Sequence, residues 1–186
     1  ALQARIRPHF LFNSLNTIAS LTHTCPDKAE QAIENLADLF RASLNADASI
    51  TLKDEIELTR AYIALETLRM DERLQVSWHI DANIEQITLP ALTLQPLVEN
   101  AIYHGIEPLE SGGLVSICVQ QQQMLTIEIT NPVNPSSKEF HRKGNQMALN
   151  NITERLHIAF NGRAKIIHLA ENHLYKVSIK IPITDS

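Results

Sequence analysis

The sequence predicts an α+β fold, helical first and sheet-rich afterwards, and three observations predict it. Through the first 70 residues, apolar side chains recur at three- and four-residue spacing. At Arg73 the spacing changes to two. Beyond that point strand-like and helix-like runs alternate in the order β-β-α-β-β-loop-α-β-β, the pattern of a mixed sheet covered by helices.

The first helix is read from ALQARIRPHFLFNSLNTIASL, where Leu2, Ile6, Phe10, Leu11, Leu15 and Ile18 form the stripe. Cys25-Pro26-Asp27 breaks it, and Asp27 is the expected cap of a second helix, AEQAIENLADLFRASL. Asn45 to Ser49 reads as a polar turn. Thr51 then caps a third helix, LKDEIELTRAYIALETLRM, with Asp54 and Glu55 in its first turn. LQVSWHID alternates Leu74, Val76, Trp78 and Ile80 as a half-buried strand. A short hairpin-like stretch to Ile87 follows, and Pro90 is expected to open an apolar helix, ALTLQPLVENAIYHGI. LVSICVQ and MLTIEIT read as antiparallel strands joined by glutamines. Asn131 to Asn145 has no periodicity and reads as a long loop of the functional, lid-like kind. QMALNNITERLHIAF is the last helix, and RAKIIHLAE with LYKVSIKIP closes the chain as a hairpin. The boundary between helical region and sheet domain falls near Arg69 to Arg73.

Composition excludes some classes. A net charge of −5, with basic residues scattered, argues against nucleic acid as the main partner, which wants a dense basic face. Cys25 and Cys118 have no metal-ligand spacing and suit a reducing compartment, with Cys118 expected to be a buried thiol. The chain begins at Ala1, already in a helical pattern, so we expect a longer protein with segments upstream.

Three segments carry chemistry. In RPHFLFNSLNTI, a proline-induced bend at Pro8 would expose one face of His9. Asn13, four residues on, shares that face and can hold one ring nitrogen while the other stays nucleophilic. A surface histidine beside a helix-start proline is the plainer alternative. In LQPLVENAIYHGI, Asn100 needs partners for its amide in an otherwise apolar helix. Its oxygen suits a magnesium ion that also holds phosphates, with Glu99 and His104 placed to orient water or a phosphate oxygen. A helix with an ordinary polar stripe is the alternative. In GNQMALNNITERL, a glycine-bearing loop runs into a helix start, which offers N–H groups to an anion; a simple capped helix is the alternative.

Together, in this order, the three segments resemble the LytS-type sensor histidine kinases, with the alginate-regulator sensors of the AlgZ/FimS group nearest. RPHFLFN followed about ninety residues later by LVENAI is the specific pair. Glu55, Tyr62, Glu66, Arg69 and Arg73 match the helix that precedes the family's ATPase domain, and the closing NGRAKIIHLAENHLYKVSIKIP matches its final hairpin. The resemblance implies a helical dimerisation and phosphoacceptor region over residues 1–70 and a Bergerat-type, HATPase-like α/β sandwich over 71–186. It implies His9 as phosphoacceptor, with Asn13 and Glu99 as orienting or proton-accepting partners. It implies Asn100 as the Mg2+ ligand, and an ATP site at Asn100, Tyr103, His104, Asn131, Gly144, Met147 and Leu149. It further implies a homodimer formed through the N-terminal helices, for which the stripe Ile6, Phe10 and Leu11 offers a face. A response-regulator receiver domain would be the partner, and a membrane sensor segment would lie upstream of this cytoplasmic part.

Departures from the pattern cluster at the nucleotide. Asn131-Pro132-Val133-Asn134-Pro135 stands where the family has Asp-x-Gly-x-Gly, so the adenine acceptor loses its charge and the loop its glycines. Gln146 and Ala148 stand where glycines are common, Tyr103 stands for a frequent lysine, and Leu174-Tyr175 for a Gly-Thr pair. Losing one charge-assisted hydrogen bond costs about 1–2 kcal/mol, or roughly tenfold in binding. Weakened affinity for ATP is therefore expected, and a non-catalytic scaffold or regulator phosphatase is the rival. A gyrase-like ATPase is disfavoured by Pro96, which occupies the place of its catalytic glutamate.

Overall fold

The computed structural model describes residues 7–46, 48–133 and 141–182, with the backbone alone for 141–148. Helix α1 spans Pro8–Thr24. Arg7 before it is extended, at φ −64 and ψ 124, as a following proline favours. Pro8 takes the first helical turn, where its missing N–H is not needed. The proline therefore starts the described helix and does not bend one. Helix α2, Pro26–Leu44, begins the same way: Pro26 opens it, Cys25 is the N-cap, and Asp27 lies in the first turn without capping. Its charge still complements the positive end of the helix.

Strand β1, Ser49–Thr51, replaces part of the expected turn. Helix α3, Leu52–Met70, is capped as predicted: Asp54 N donates to Thr51 Oγ1 at 3.1 Å and Thr51 N to Asp54 Oδ2 at 3.3 Å. Thr51→Ala is expected to cost about 1 kcal/mol, read as a lowered thermal midpoint at unchanged helix content. A variant as stable as the parent would mean the box contributes nothing.

A 3₁₀ turn, Asp71–Arg73, leads into β2, Leu74–Asp81. Strand β3, Thr88–Pro90, pairs antiparallel with β1 and not with β2, so no hairpin forms there. Helix α4 is Gln95–Ala101, continued by a π-helical turn over Ile102–Ile106. It starts at Gln95, later than Pro90 suggests. Strands β4, Gly113–Gln121, and β5, Met124–Pro132, are antiparallel, as are β5 with β7, Leu174–Pro182, and β7 with β6, Lys165–Glu171. Strand β2 runs parallel to β4, which gives a five-stranded mixed sheet in the order β2-β4-β5-β7-β6.

One face of this sheet is apolar: Val115, Ile117, Val119, Leu125, Ile127, Ile129 and Ile179 are buried on it. Ile102 and Ile106 of the π turn and Ile152 and Leu156 of α5, His141–Ala159, belong to the same core. Cys118 points to the other face, because strand alternation sets it opposite Val115, Ile117 and Val119; it is half-buried, not buried. Helix α5 begins at His141, so Gly144 lies within a helix where a loop was expected. Residues 134–140 of that loop lie outside the described residues, as do Leu2 and Ile6.

The three N-terminal helices share the core. Phe10 is 8% exposed and its ring centre lies 4.9 Å from that of Tyr62. It therefore packs within its own chain and cannot serve the expected dimer face. Apolar side chains left open on α1 and α2 are instead Phe12, Leu15, Ile33 and Leu44, at 66%, 48%, 54% and 58% exposure.

Candidate functional site

The site is built on α4, and α4 begins where it does because two distant side chains fix the segment before it. Glu55 of α3 is fully buried. One carboxylate oxygen accepts from Leu94 N at 2.7 Å and Gln95 N at 3.1 Å, the other from Leu92 N at 2.9 Å. The N–H groups of Leu94 and Gln95 are orphan donors at the helix start, and that of Leu92 belongs to the loop before it. Burial pushes the Glu55 carboxyl up, opposed by the N–H groups of Gln95, Leu94 and Leu92. From the other side the Arg155 guanidinium donates to Leu92 O at 3.2 Å, to Ala46 O at 2.8 Å and to Ala91 O. Between them Leu92 sits at φ 57, a left-handed conformation costly for a non-glycine residue. Sequence reasoning gave Arg155 no role; its one signal was a charge on a helix whose neighbours Ile152 and Leu156 are core residues.

Asn100 is 5% exposed, as an amide in an apolar helix should not be without partners. Its partner is Arg7. The guanidinium donates to Asn100 Oδ1 at 2.6 Å and pairs with Glu99 Oε1 at 2.6 Å. It lies over the Tyr103 ring, 4.3 Å from the centroid. Asn100 Nδ2 stays buried without a partner among the described residues. Burial pushes the Glu99 carboxyl up, and the Arg7 charge and the Gln95 amide oppose it.

His9 lies two residues beyond Arg7, exposed at the start of α1. Asn13 Nδ2 stands 3.2 Å from its Nδ1 and 3.3 Å from its Nε2, so the predicted pairing across one helical turn is present. A half-turn of the Asn13 amide brings its Oδ1 to the ring in place of Nδ2. His9, Asn13, Tyr62, Glu66, Arg69, Tyr103 and Glu107 line one small cleft. Glu66 pairs with Arg69 at 2.5 Å, and Arg69 reaches Glu107 at 2.9 Å. Burial raises the Glu66 carboxyl, with Arg69 opposing. Glu99 is not among the residues lining this cleft. The acids beside His9 are Glu66 and Glu107, and Glu99 is engaged by Arg7. A larger open groove of about 550 Å³ between α2 and α3 holds none of these residues.

The remaining predicted residues divide. Tyr103 and His104 follow Asn100 on the π turn, their rings edge to face at 4.8 Å. Asn131, at the end of β5, is buried, donates to Pro132 O at 2.8 Å, and nests against Gly105. Leu149 is buried in the core. The side chains of residues 141–148, Met147 among them, lie outside the described set.

Among the described residues, no three of His, Cys, Asp and Glu converge as a metal cluster. Asn100 and Glu99 nevertheless present an amide and a carboxylate oxygen to one point, the hard donor type that Mg2+ takes. Both already grip a cationic group there, so the donor set fits a cation.

Residues 1–74 match the family model described as Histidine kinase. The chain is 35% identical over 99% of its length to the Sensor histidine kinase BtsS of Escherichia coli (strain K12), covering 33% of that protein. It is 32% identical over 98% of its length to the Sensor protein LytS of Bacillus subtilis (strain 168), again covering 33%. It thus spans about a third of the length of these relatives. Its fold resembles the histidine kinase domain of the Erythrobacter litoralis EL346 blue-light activated histidine kinase, with a TM-score of 0.52 at 16% identity, over 97% of this chain and 91% of that one. The catalytic domain of histidine kinase ThkA matches with a TM-score of 0.51 at 16% identity, over 73% of this chain and 94% of that one. The α+β expectation, a mixed sheet covered by helices, agrees with both. No helix among the described residues is long and apolar enough to cross a membrane.

Proposed function

We propose that this chain, whose residues 1–74 match the histidine kinase model and which is 35% identical to a sensor histidine kinase over 99% of its own length, is a histidine kinase of the LytS type and the catalytic core of a two-component sensor kinase. It transfers the γ-phosphate of ATP to His9 and then to an aspartate of a response regulator. Residues 1–70 serve dimerisation and phosphoacceptance, and residues 71–186 bind ATP in a HATPase-like domain. Within the type, the motifs RPHFLFNSLNTI and LQPLVENAIYHGI support a kinship with the AlgZ/FimS sensors. The whole protein carries a membrane sensor segment upstream, and the exposed Phe12, Leu15 and Ile33 supply the dimer face. The observation that carries this reading is the direct meeting of the two motifs: the segment bearing His9 touches Asn100, Glu99 and Tyr103 through Arg7.

In the mechanism, Asn13 orients His9. With its amide oxygen turned to the ring it accepts the hydrogen from one ring nitrogen and leaves the lone pair of the other for phosphorus. Glu66, its carboxyl raised by burial against the pull of Arg69, lies in the same cleft and as a carboxylate can take up the released proton. Asn100 and Glu99 would hold Mg2+, which when bound supplies charge neutralisation to the phosphates. Asn131 would accept at the adenine end, and Gly144 and Met147 would lie on the phosphate side of the bound nucleotide.

Incubation with γ-labelled ATP and Mg2+ is expected to place acid-labile label on the chain, with His9→Ala reducing it to background. Asn100→Ala is expected to weaken nucleotide binding by at least about tenfold. No label at millimolar ATP would favour the scaffold reading, which the altered Asn131–Pro135 stretch and the position of Arg7 support. Label persisting in His9→Ala would place the phosphoacceptor elsewhere.

A further inference from the structure

The guanidinium of Arg7 sits where the proposed cation would sit. Its Nη2 donates to Asn100 Oδ1 and its Nε pairs with Glu99 Oε1, each at 2.6 Å, while Tyr103 supports the flat face of the group. Both candidate metal oxygens are therefore engaged by a group tethered to the chain. The engagement is not that of a finished core. Asn100 Nδ2 remains buried without a partner among the described residues, and the Arg7 side chain keeps 32% of its surface in solvent. A guanidinium cannot bridge phosphates in the manner of a divalent ion while its hydrogens are committed to a carboxylate and an amide.

Arg7 is also placed to transmit a movement. It is extended and immediately precedes Pro8, which opens α1, and its carbonyl accepts from Leu11 N at 3.2 Å. His9 lies two residues away, in the cleft that Arg7 itself helps to line. Withdrawal of the guanidinium from Asn100 and Glu99 would loosen the start of α1 and free His9 to reorient.

We propose that Arg7 is an internal competitor for the Asn100–Glu99 cation site, a plug that holds the kinase at rest and leaves when a divalent metal–nucleotide complex binds. The proposal rests on the reading of Asn100 as a metal ligand. Competition lowers apparent affinity by the fraction of time the site is open, so removing the plug strengthens binding without adding a contact.

The test is calorimetric titration of the chain with Mg2+·ADP, which avoids turnover, for the parent, Arg7→Ala and Arg7→Gln. Arg7→Gln keeps a polar stem and drops the charge. Both variants are expected to bind about tenfold more tightly than the parent, and the gain should vanish when the metal is chelated. Hydrogen exchange gives an independent reading: Mg2+·ADP should speed exchange of the Leu11–Ser14 amides in the parent, and Arg7→Ala should show that faster exchange without ligand. Binding unchanged or weakened in both variants, beside measurable parent binding, overturns the plug and leaves the nucleotide site standing. Absence of binding in all three proteins overturns the plug together with the kinase reading.

Discussion

Glu55→Ala is expected to cost about 3–5 kcal/mol of stability, because three backbone N–H groups in the interior lose their acceptor together. Leu92, Leu94 and Gln95 bring those amides to one carboxylate, and nothing in the alanine variant can reach them. Denaturant unfolding should show a lowered midpoint at unchanged slope. Glu55→Gln should cost less, about 2 kcal/mol, since one oxygen still accepts while the new amide group meets donors. A shift below about 1 kcal/mol for the alanine variant would mean that water serves the three amides, and the clamp would lose its explanation.

The clamp matters because it converts a strained segment into a fixed starting point for α4. Leu92 at φ 57 is held by Glu55 through its N–H and by Arg155 through its carbonyl. Such conformations persist where surroundings over-determine them. The residues downstream, Glu99 and Asn100, take their direction from that start. Loss of Glu55 should therefore lower nucleotide affinity as well as stability, although Glu55 is remote from the cleft that holds His9.

Local patterns were legible in the sequence. Thr51 caps α3 with Asp54 in the first turn, strand alternation gives the apolar face of the sheet, and His9 meets Asn13 across one turn. What escaped depends on residues far apart in the chain. The start of α4 is set by partners 37 to 40 residues before it and about sixty after it, so no window around Pro90 contains the cause. The parallel pairing of β2 with β4 and the pairing of β1 with β3 are likewise choices among distant segments. Phe10 could be read as apolar but not as facing Tyr62, because a stripe does not name its partner. Arg7 was visible only as a basic residue before Pro8; its reach to Asn100, 93 positions away, exists only in the folded chain.

Gly105→Ala is expected to destabilise the protein by about 2–4 kcal/mol, against the gain that alanine brings to an ordinary helix. A Cβ there would overlap Asn131 Nδ2 and stand 2.9 Å from both Asn131 Cγ and Pro132 O. The amide can turn only by giving up its 2.8 Å bond to Pro132 O. The carbonyl cannot retreat easily, because Pro132 ends a strand whose Met124–Pro132 ladder pairs with β7 along its whole length. The missing side chain of Gly105 is thus what lets the end of β5 approach the π turn that follows Asn100. Asn131→Ala in the same chain removes the side-chain overlap but not the carbonyl contact, so the double variant should recover part of the loss and reveal coupling between the positions. A neutral or stabilised Gly105→Ala would show that the π turn can shift away from the sheet. Asn131 and Asn100 would then not be held at a fixed separation, and a nucleotide site spanning both would lose its rigid floor.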